Sequence, residues 1–401
     1  MEYAQLLRKK DSFVQVSGAS LVVGGLPIGT GALMRAQAWE SLCKGKQLPA
    51  IQPGRDQLAE ITALNDADSS VLGIHQLMAI AVTELAWKEA GLDGSRLRIR
   101  GVDAGFRHAR YGCISGTSLG GMTAFELEIT AGKRPSPYSL SRWRGNSVGA
   151  AVSKRFGLGG GDYSLNSASA TGAQCLYLGA TLIHAGLCDL MVVVAADAQA
   201  TPEISRAMQR NGSVSSDCTQ GPLSSGRSGM NPVPGAACLI LESAEHLAAR
   251  GGRALANWLG GECANEAYHM LAPEPGGQAL RSLLKNQTIQ PDWVSLHATG
   301  TTSFDAIEIA AIRDVLNQKR PWLTAIKSMT GHALGASGLI EAAIVVEGLQ
   351  RASVPPWPSD TDPLLDLKSI KPAVAPQPET ALLIGQGMGG NVVLNMLGAV
   401  R

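Results

Sequence analysis

The sequence predicts an α/β fold built from two similar halves, and three observations carry that expectation. Strand-like runs alternate with runs at helical spacing along the chain. The length, 401 residues, is long for one core and suits two packed halves. Two apolar helical segments also resemble each other. Shifted by 163 positions, the spacing from Ser169 to His332, the first lays Ala170 on Ala333, Gly172 on Gly335, Ala173 on Ala336, Leu176 on Leu339 and Ala180 on Ala343. Chance between Ala/Gly-rich helices gives such matches, and so does a duplicated fold. In a duplicated fold each half presents one polar residue, Ser169 or His332, at the start of a buried helix, and both starts face one site.

The elements follow in order. VQVSGASLVV reads as a first strand. SSVLGIHQLMAIAVTELAWKEAG has helical periodicity and stops at Gly91. YGCISGTSLGG is a buried strand running into a glycine-rich turn. NSASATG, residues 166–172, lies where a short strand gives way to a helix that Gly186 closes. DLMVVVAADA is a central strand, because an uninterrupted apolar run suits a strand covered on both faces. DWVSLHATGTT is strand then loop, and GASGLIEAAIVVEGLQ is the second buried helix. ALLIGQGMGGNVVLNMLGAV reads as two strands joined by a glycine turn. The halves are expected to divide as 1–250 and 251–401.

Composition removes several function classes. Hydrophobic residues at 45% and charged residues at 17% allow a large core and argue against disorder. A net charge of +1 without a long basic run argues against a nucleic-acid or anionic-membrane partner. No stretch approaches ~18 uninterrupted apolar residues, so no membrane span is expected. The first residues lack the apolar core of a signal peptide, which points to the cytoplasm. Seven cysteines, an odd number without a C-x-x-C pair, suggest a reducing compartment and no metal site, and most sit in apolar runs that read as inert core.

Of seven histidines, two stand out. His297 lies in LHATGTTSFDAIE, directly after an apolar strand, and His332 in IKSMTGHALGASG, just before a buried helix and five residues after Lys327. His75, His184 and His246 sit in helical patterns and read as packing or surface residues; His108 and His269 lie in polar loops without a signal. GQGMGG fits G-x-G-x-x-G, but a strand-like run follows it, so a dinucleotide site is not expected.

These motifs resemble those of the β-ketoacyl-ACP synthases, the condensing enzymes of fatty-acid and polyketide synthesis. NSASATGA is similar to the family's nucleophile motif T-A-C-A-T-G-A, and HATGTTSFDAIE to H-G-T-G-T-x-x-x-D-x-x-E. KSMTGHALGASGLIEA matches K-S-x-x-G-H-x-x-G-A-A-G-x-x-E nearly throughout. GQGMGG stands for the glycine turn G-F-G-G, and RPSPYSLSRWRGNSVGAAVSKRFGLGG for the segment ahead of the nucleophile. The resemblance implies a thiolase-like layered αβαβα fold of two duplicated halves. It implies His297 and His332 as hydrogen-bond donors to a thioester oxygen, Lys327 beside them with Glu341 as ion-pair partner, and Asp305 and Glu308 in support. It implies Thr299 and Thr301 as contacts of a phosphopantetheine arm, an acyl carrier protein as partner, a dimer, and no cofactor of the chain's own.

The departures decide the expected function. Ser169 stands where the family has its cysteine, Met388 where it has a phenylalanine, and RSGMNPVPGAA replaces the acidic R-D-G-F-x-x-G-E-G-A-G. A thiol near pKa 8.5 becomes a nucleophile with modest help, whereas a serine hydroxyl needs a positioned base. Decarboxylation of a malonyl thioester needs only donors to the enolate oxygen. The expected activity is therefore conversion of malonyl-ACP to acetyl-ACP without condensation. The chain resembles the freestanding Ser-for-Cys ketosynthase-like decarboxylases of polyketide β-branching cassettes. The backbone N–H groups of Ser169 and Met388 are candidate oxyanion donors. Two alternatives stay open: a non-catalytic, chain-length-factor-like subunit paired with a cysteine-bearing ketosynthase, and a Cys-to-Ser variant of an ordinary condensing enzyme. A serine hydrolase lacks its G-x-S-x-G elbow. Ser167 is assigned to the turn and Cys175 to the core.

Overall fold

A computed structural model describes residues 13–23, 31–44, 52–92, 94, 96–101, 108–215, 217 and 220–400. Its strands are β1 (Val14–Val23), β2 (Tyr111–Gly116), β3 (Asp162–Leu165), β4 (Leu190–Asp197), β5 (Gly235–Ser243), β6 (Ala256–Asn265), β7 (Trp293–Ser295), β8 (Trp322–Thr324), β9 (Thr380–Gly387) and β10 (Asn391–Gly398). The helices that position the site are α1 (Ile74–Glu89), α2 (Met122–Thr130), α3 (Ser147–Phe156), α4 (Thr171–His184), α5 (Gln278–Asn286), α6 (Thr302–Leu316), α7 (Lys327–Thr330) and α8 (Ser337–Gln350).

The strand order β3-β2-β4-β5-β1-β6-β10-β9-β7-β8 contains the same topology twice. Read outward from the centre, one half runs β1-β5-β4-β2-β3 and the other β6-β10-β9-β7-β8. In each, the inner two pairings are antiparallel and the outer two parallel. The helix match seen in the sequence therefore belongs to a repeat that includes every strand. The halves meet along β1 and β6, whose short register is Val14↔Trp258, Gln15↔Asn257 and Val16↔Ala256. The expected division at 250/251 falls between β5 and β6.

Five layers result. α4 and α8 form the middle layer, touching each other and strands of both halves. α1 and α3 cover the outer face of the first half-sheet, and α5, against which α6 packs, covers that of the second. This position explains the composition of the middle helices. α8 is buried from Ser337 to Leu349, and β4 along its whole length. A helix apolar all round needs protein on every side.

Glycine makes the middle layer possible. A Cβ on Gly172 would lie 2.8 Å from the Leu339 nitrogen and 2.9 Å from the Gly335 oxygen; one on Gly338 would lie 2.6 Å from the Ala173 nitrogen. α4 and α8 thus cross backbone to backbone, and Gly172, Ala173 and Leu339 at the crossing are among the positions that the sequence match had paired. One detail differs between the repeats. A 3-10 turn, Leu334–Ala336, takes the place of the first turn of α4, so α8 begins only at Ser337.

The expected elements appear in their places, and Gly186, at φ +73°, closes α4. Most of the described cysteines lie in the core, as expected. Cys113, Cys175, Cys188 and Cys238 are buried, but Cys43 and Cys263 are exposed. Cys218 and residues 1–12 lie outside the described residues. Among the described residues no helix is long and apolar enough to cross a membrane.

The crossing sets the first prediction. Gly172→Val should lower the unfolding free energy by about 3 kcal/mol or prevent folding. Gly145→Ala, whose Cβ meets nothing within 4 Å, should leave thermal denaturation nearly unchanged.

Candidate active site

The loop between β7 and α6 carries His297, and two acidic residues of α6 shape it. Glu308 accepts the backbone N–H of His297 (2.7 Å) and of Ala298 (2.8 Å). Asp305 accepts that of Gly300 (3.1 Å) and, from another segment, of Leu223 (2.8 Å). The loop turns sharply, with Ala298 at φ +30° and Gly300 at +87°. Both carboxyls are buried, and burial pushes their pKa values up against these N–H donors, that of Glu308 to about 7. The spacing D-x-x-E places the two acids on one face of α6, facing the loop they brace.

Lys327 opens α7 and ties this loop to α8. Its Nζ donates to the His297 carbonyl (2.5 Å) and to Glu341 (2.5 Å). Both side chains of the ion pair are 2% exposed. Removing one partner of such a pair leaves a buried charge and costs about 3–5 kcal/mol.

His332 is held on both sides. Its N–H donates to the Asn231 carbonyl (2.8 Å), and its carbonyl accepts from Val233 N–H (3.0 Å). Its Nδ1 accepts the Leu334 N–H at 3.0 Å. An Nδ1 that accepts carries no proton, so the neutral ring's proton sits on Nε2. That Nε2 is buried and has no hydrogen-bond partner among the described residues. Burial, with the nearby Lys327 charge, pushes the His332 pKa down to about 3. Burial, Lys327 and His332 likewise hold His297 well below the usual range. The rings stand perpendicular, with centroids 6.0 Å apart. Thr299 and Thr301 share a hydroxyl hydrogen bond of 2.9 Å beside them.

His332, Lys327, Thr299 and Asn231 line one narrow cleft with Gly221 and Gly229, of about 10 Å³, roughly the space of one water. It is narrow because its walls are joined: Gly229 N–H donates to the Gly300 carbonyl at 3.0 Å.

Ser169 lies at the entry of α4. It is half-buried, follows Ala168 at φ +50°, and precedes the first residue of α4 by two positions. Its hydroxyl has no hydrogen-bond partner among the described residues. Neighbouring groups complete the turn: the Thr171 hydroxyl accepts from Ser167 N–H (2.8 Å) and donates to the Ala168 carbonyl (2.6 Å). The Ser167 hydroxyl bonds Gln174, as a turn residue should. The turn rests on Gly387, where a Cβ would come 3.1 Å from the Ala170 nitrogen. Met388 follows at once, half-buried, with Gly389 and Gly390 at φ +86° and +83°. The structure thus forms two clusters, the histidine–lysine–carboxylate group and the Ser169–Met388 turn. The α4–α8 crossing joins them.

Two residues escaped the sequence reading. Asp197, at the end of β4, accepts the Thr117 hydroxyl (2.7 Å) and the N–H groups of Ser118 (3.0 Å), Leu119 (2.9 Å) and Gly335 (2.8 Å). It fastens the turn after β2 to the entry of α8; its signal was one charge closing an apolar run. Asn231 lies in a segment read only for its missing acids. Among the described residues no group of three or more His, Cys, Asp or Glu could hold a metal ion.

A model for the β-ketoacyl synthase N-terminal domain matches residues 54–246, and one for the C-terminal domain matches residues 255–359. The chain belongs to the β-ketoacyl synthase family. The 3-oxoacyl-[acyl-carrier-protein] synthase I of Hordeum vulgare chloroplasts is 31% identical over 299 residues, which span 69% of this chain and 63% of that one. The match thus covers less than two thirds of that relative's length. A type II polyketide ketosynthase, solved with its acyl-carrier protein and bound to a hexaketide, superposes with a TM-score of 0.78 at 25% identity. The overlap covers 98% of this chain and 100% of that one. The ishigamide ketosynthase/chain length factor gives 0.80 at 22% identity, covering 98% and 100%, which shows the fold alone. Like its relatives, the chain has the thiolase fold.

The histidine geometry predicts a spectroscopic result. In ¹⁵N-histidine NMR at pH 5.5, where an ordinary histidine is mostly charged, His332 should remain the neutral Nε2–H tautomer.

Proposed function

We propose that this ketosynthase-family chain is a decarboxylase that converts malonyl-ACP to acetyl-ACP and CO2 without condensation. The observation that carries the reading is the buried, unpartnered Nε2–H of His332. Set beside a second neutral histidine, it is a donor with nothing yet to donate to. When the malonyl C–C bond breaks, its electron pair moves into an enolate and charge gathers on the thioester oxygen. Neutral donors fixed in a dry site stabilise that charge without reorganising. Lys327 adds positive charge nearby, and Thr299 with Thr301 offers hydroxyls to the phosphopantetheine arm. Solvent supplies the proton that turns the enolate into acetyl thioester.

The other half of ketosynthase chemistry lacks a part. Ser169 has no hydrogen bond to a base, so its hydroxyl stays a weak nucleophile. Its backbone N–H and that of Met388 are assigned to the oxyanion. The carrier-protein partner is supported by the type II neighbour solved with its own. The polyketide β-branching context rests on resemblance, the cytoplasmic location on the cysteine pattern, and the division into halves at 250/251 on the repeat.

We assign a second copy of the chain to the outer side of β3. Among the described residues that strand pairs only with β2, and it is exposed from Asp162 to Ser164. On the same half, α2 exposes Met122 (56%), Phe125 (47%), Leu127 (56%) and Ile129 (53%). The about 10 Å³ cleft favours a second reading, a non-catalytic subunit whose partner is a cysteine-bearing ketosynthase.

Intact-protein mass spectrometry of malonyl-loaded carrier protein separates the two readings. The chain alone should yield acetyl-ACP. His297→Ala or His332→Ala should slow the reaction by about 10²–10³-fold, and Ser169→Ala should slow it far less. Unchanged malonyl-ACP would favour the silent subunit. In light scattering the chain should be a dimer, and Ile129→Lys should shift it toward monomer.

A further inference from the structure

We propose that the side-chain amide of Asn231 receives the malonyl carboxylate and so selects malonyl over uncharged acyl groups. The inference rests on the decarboxylase reading. Asn231 is fixed beside His332 by its own backbone, since its carbonyl accepts the His332 N–H at 2.8 Å. Pro232 follows and limits the local freedom of the chain. The side chain itself is half-buried, lines the cleft with Thr299, Lys327 and His332, and makes no hydrogen bond among the described residues.

Most other polar groups near this cleft are committed. The Lys327 ammonium is held by Glu341 and the His297 carbonyl. The Arg227 guanidinium pairs with Asp362 (2.8 Å) and lies 3.6 Å from Asp305. The Ser328 hydroxyl donates to the Ala325 carbonyl (2.7 Å), and Gln220 accepts from the Ser224 hydroxyl (3.4 Å). Gln220 also keeps an open NH2, but the amide of Asn231 belongs to the residue whose own carbonyl holds the His332 N–H, which sets it beside the histidines. With the thioester oxygen at the histidines, the carboxylate two carbons away needs a donor on the facing wall.

A neutral donor also suits the chemistry. Decarboxylation removes the carboxylate charge as CO2 leaves. A cation there would bind the ground state tightly and lose that interaction at the transition state, raising the barrier. An amide recognises the carboxylate with a weaker hold.

The test compares binding of two probes to the wild-type chain and to Asn231→Asp, Asn231→Ala and Asn231→Gln. One probe is a bacterial acyl carrier protein bearing acetyl. The other bears sulfoacetyl, whose sulfonate mimics the carboxylate and cannot leave. Asn231→Asp should weaken sulfoacetyl-carrier binding by more than about tenfold and leave acetyl-carrier binding unchanged. Asn231→Ala should fall between, and Asn231→Gln should restore part of the preference. An unchanged ratio of the two affinities in both the Asp and Ala variants would overturn the assignment. A wild type that leaves malonyl-ACP intact would overturn the decarboxylase reading instead, while the affinity ratio still decides the role of Asn231.

Discussion

The backbone-to-backbone crossing of α4 and α8 is the constraint on which the rest of the structure depends. Two helices at the centre of five layers touch through Gly172 and Gly338, where any side chain would collide with main chain of the other helix or its entry turn. That contact brings the entry of each helix toward the other. Ser169 stands three residues ahead of Gly172, and His332 three ahead of Gly335. Asp197 locks the arrangement by accepting N–H groups from the turn after β2 and from Gly335 at once. The repeated strand order supplies the two halves, and the glycines bring their equivalent ends to one region.

Within that frame the chemistry rests on buried charge placed around neutral imidazoles. Glu308, Asp305 and Glu341 are all buried, and each is held by donors: backbone N–H for the first two, the Lys327 ammonium for the third. They shape the loops instead of charging the histidines. Burial, with the Lys327 charge beside it, keeps His332 and His297 neutral, so both remain donors at ordinary pH. The serine at the nucleophile's position fits the same economy of parts. A thiolate would need only the electrostatics of a helix start, whereas Ser169 would need a base that its surroundings lack.

Much of this was legible in the sequence. The alternation of elements, the central strand LMVVVAAD, the two buried helices and their shared Ala/Gly pattern are local or periodic signals. The spacings H-A-T-G-T and D-x-x-E, and the Lys327 to His332 interval, needed only chain order to be recognised. The substitution at Ser169 was legible because a single residue type separates two kinds of reactivity.

What the sequence could not decide depended on distant residues meeting. Burial separates the four core cysteines from exposed Cys43 and Cys263, and only the packed fold assigns it. The His332 tautomer is set by a hydrogen bond from Leu334 within a turn whose 3-10 geometry the helical pattern concealed. Asp197 and Asn231 carried no motif; each gained a role from a partner more than 100 positions away. By itself the sequence determined which groups are present and which elements carry them, because these follow from residue type and period. The tertiary structure alone decided which groups are buried, neutral and unpartnered, because desolvation and hydrogen bonding belong to the folded surroundings.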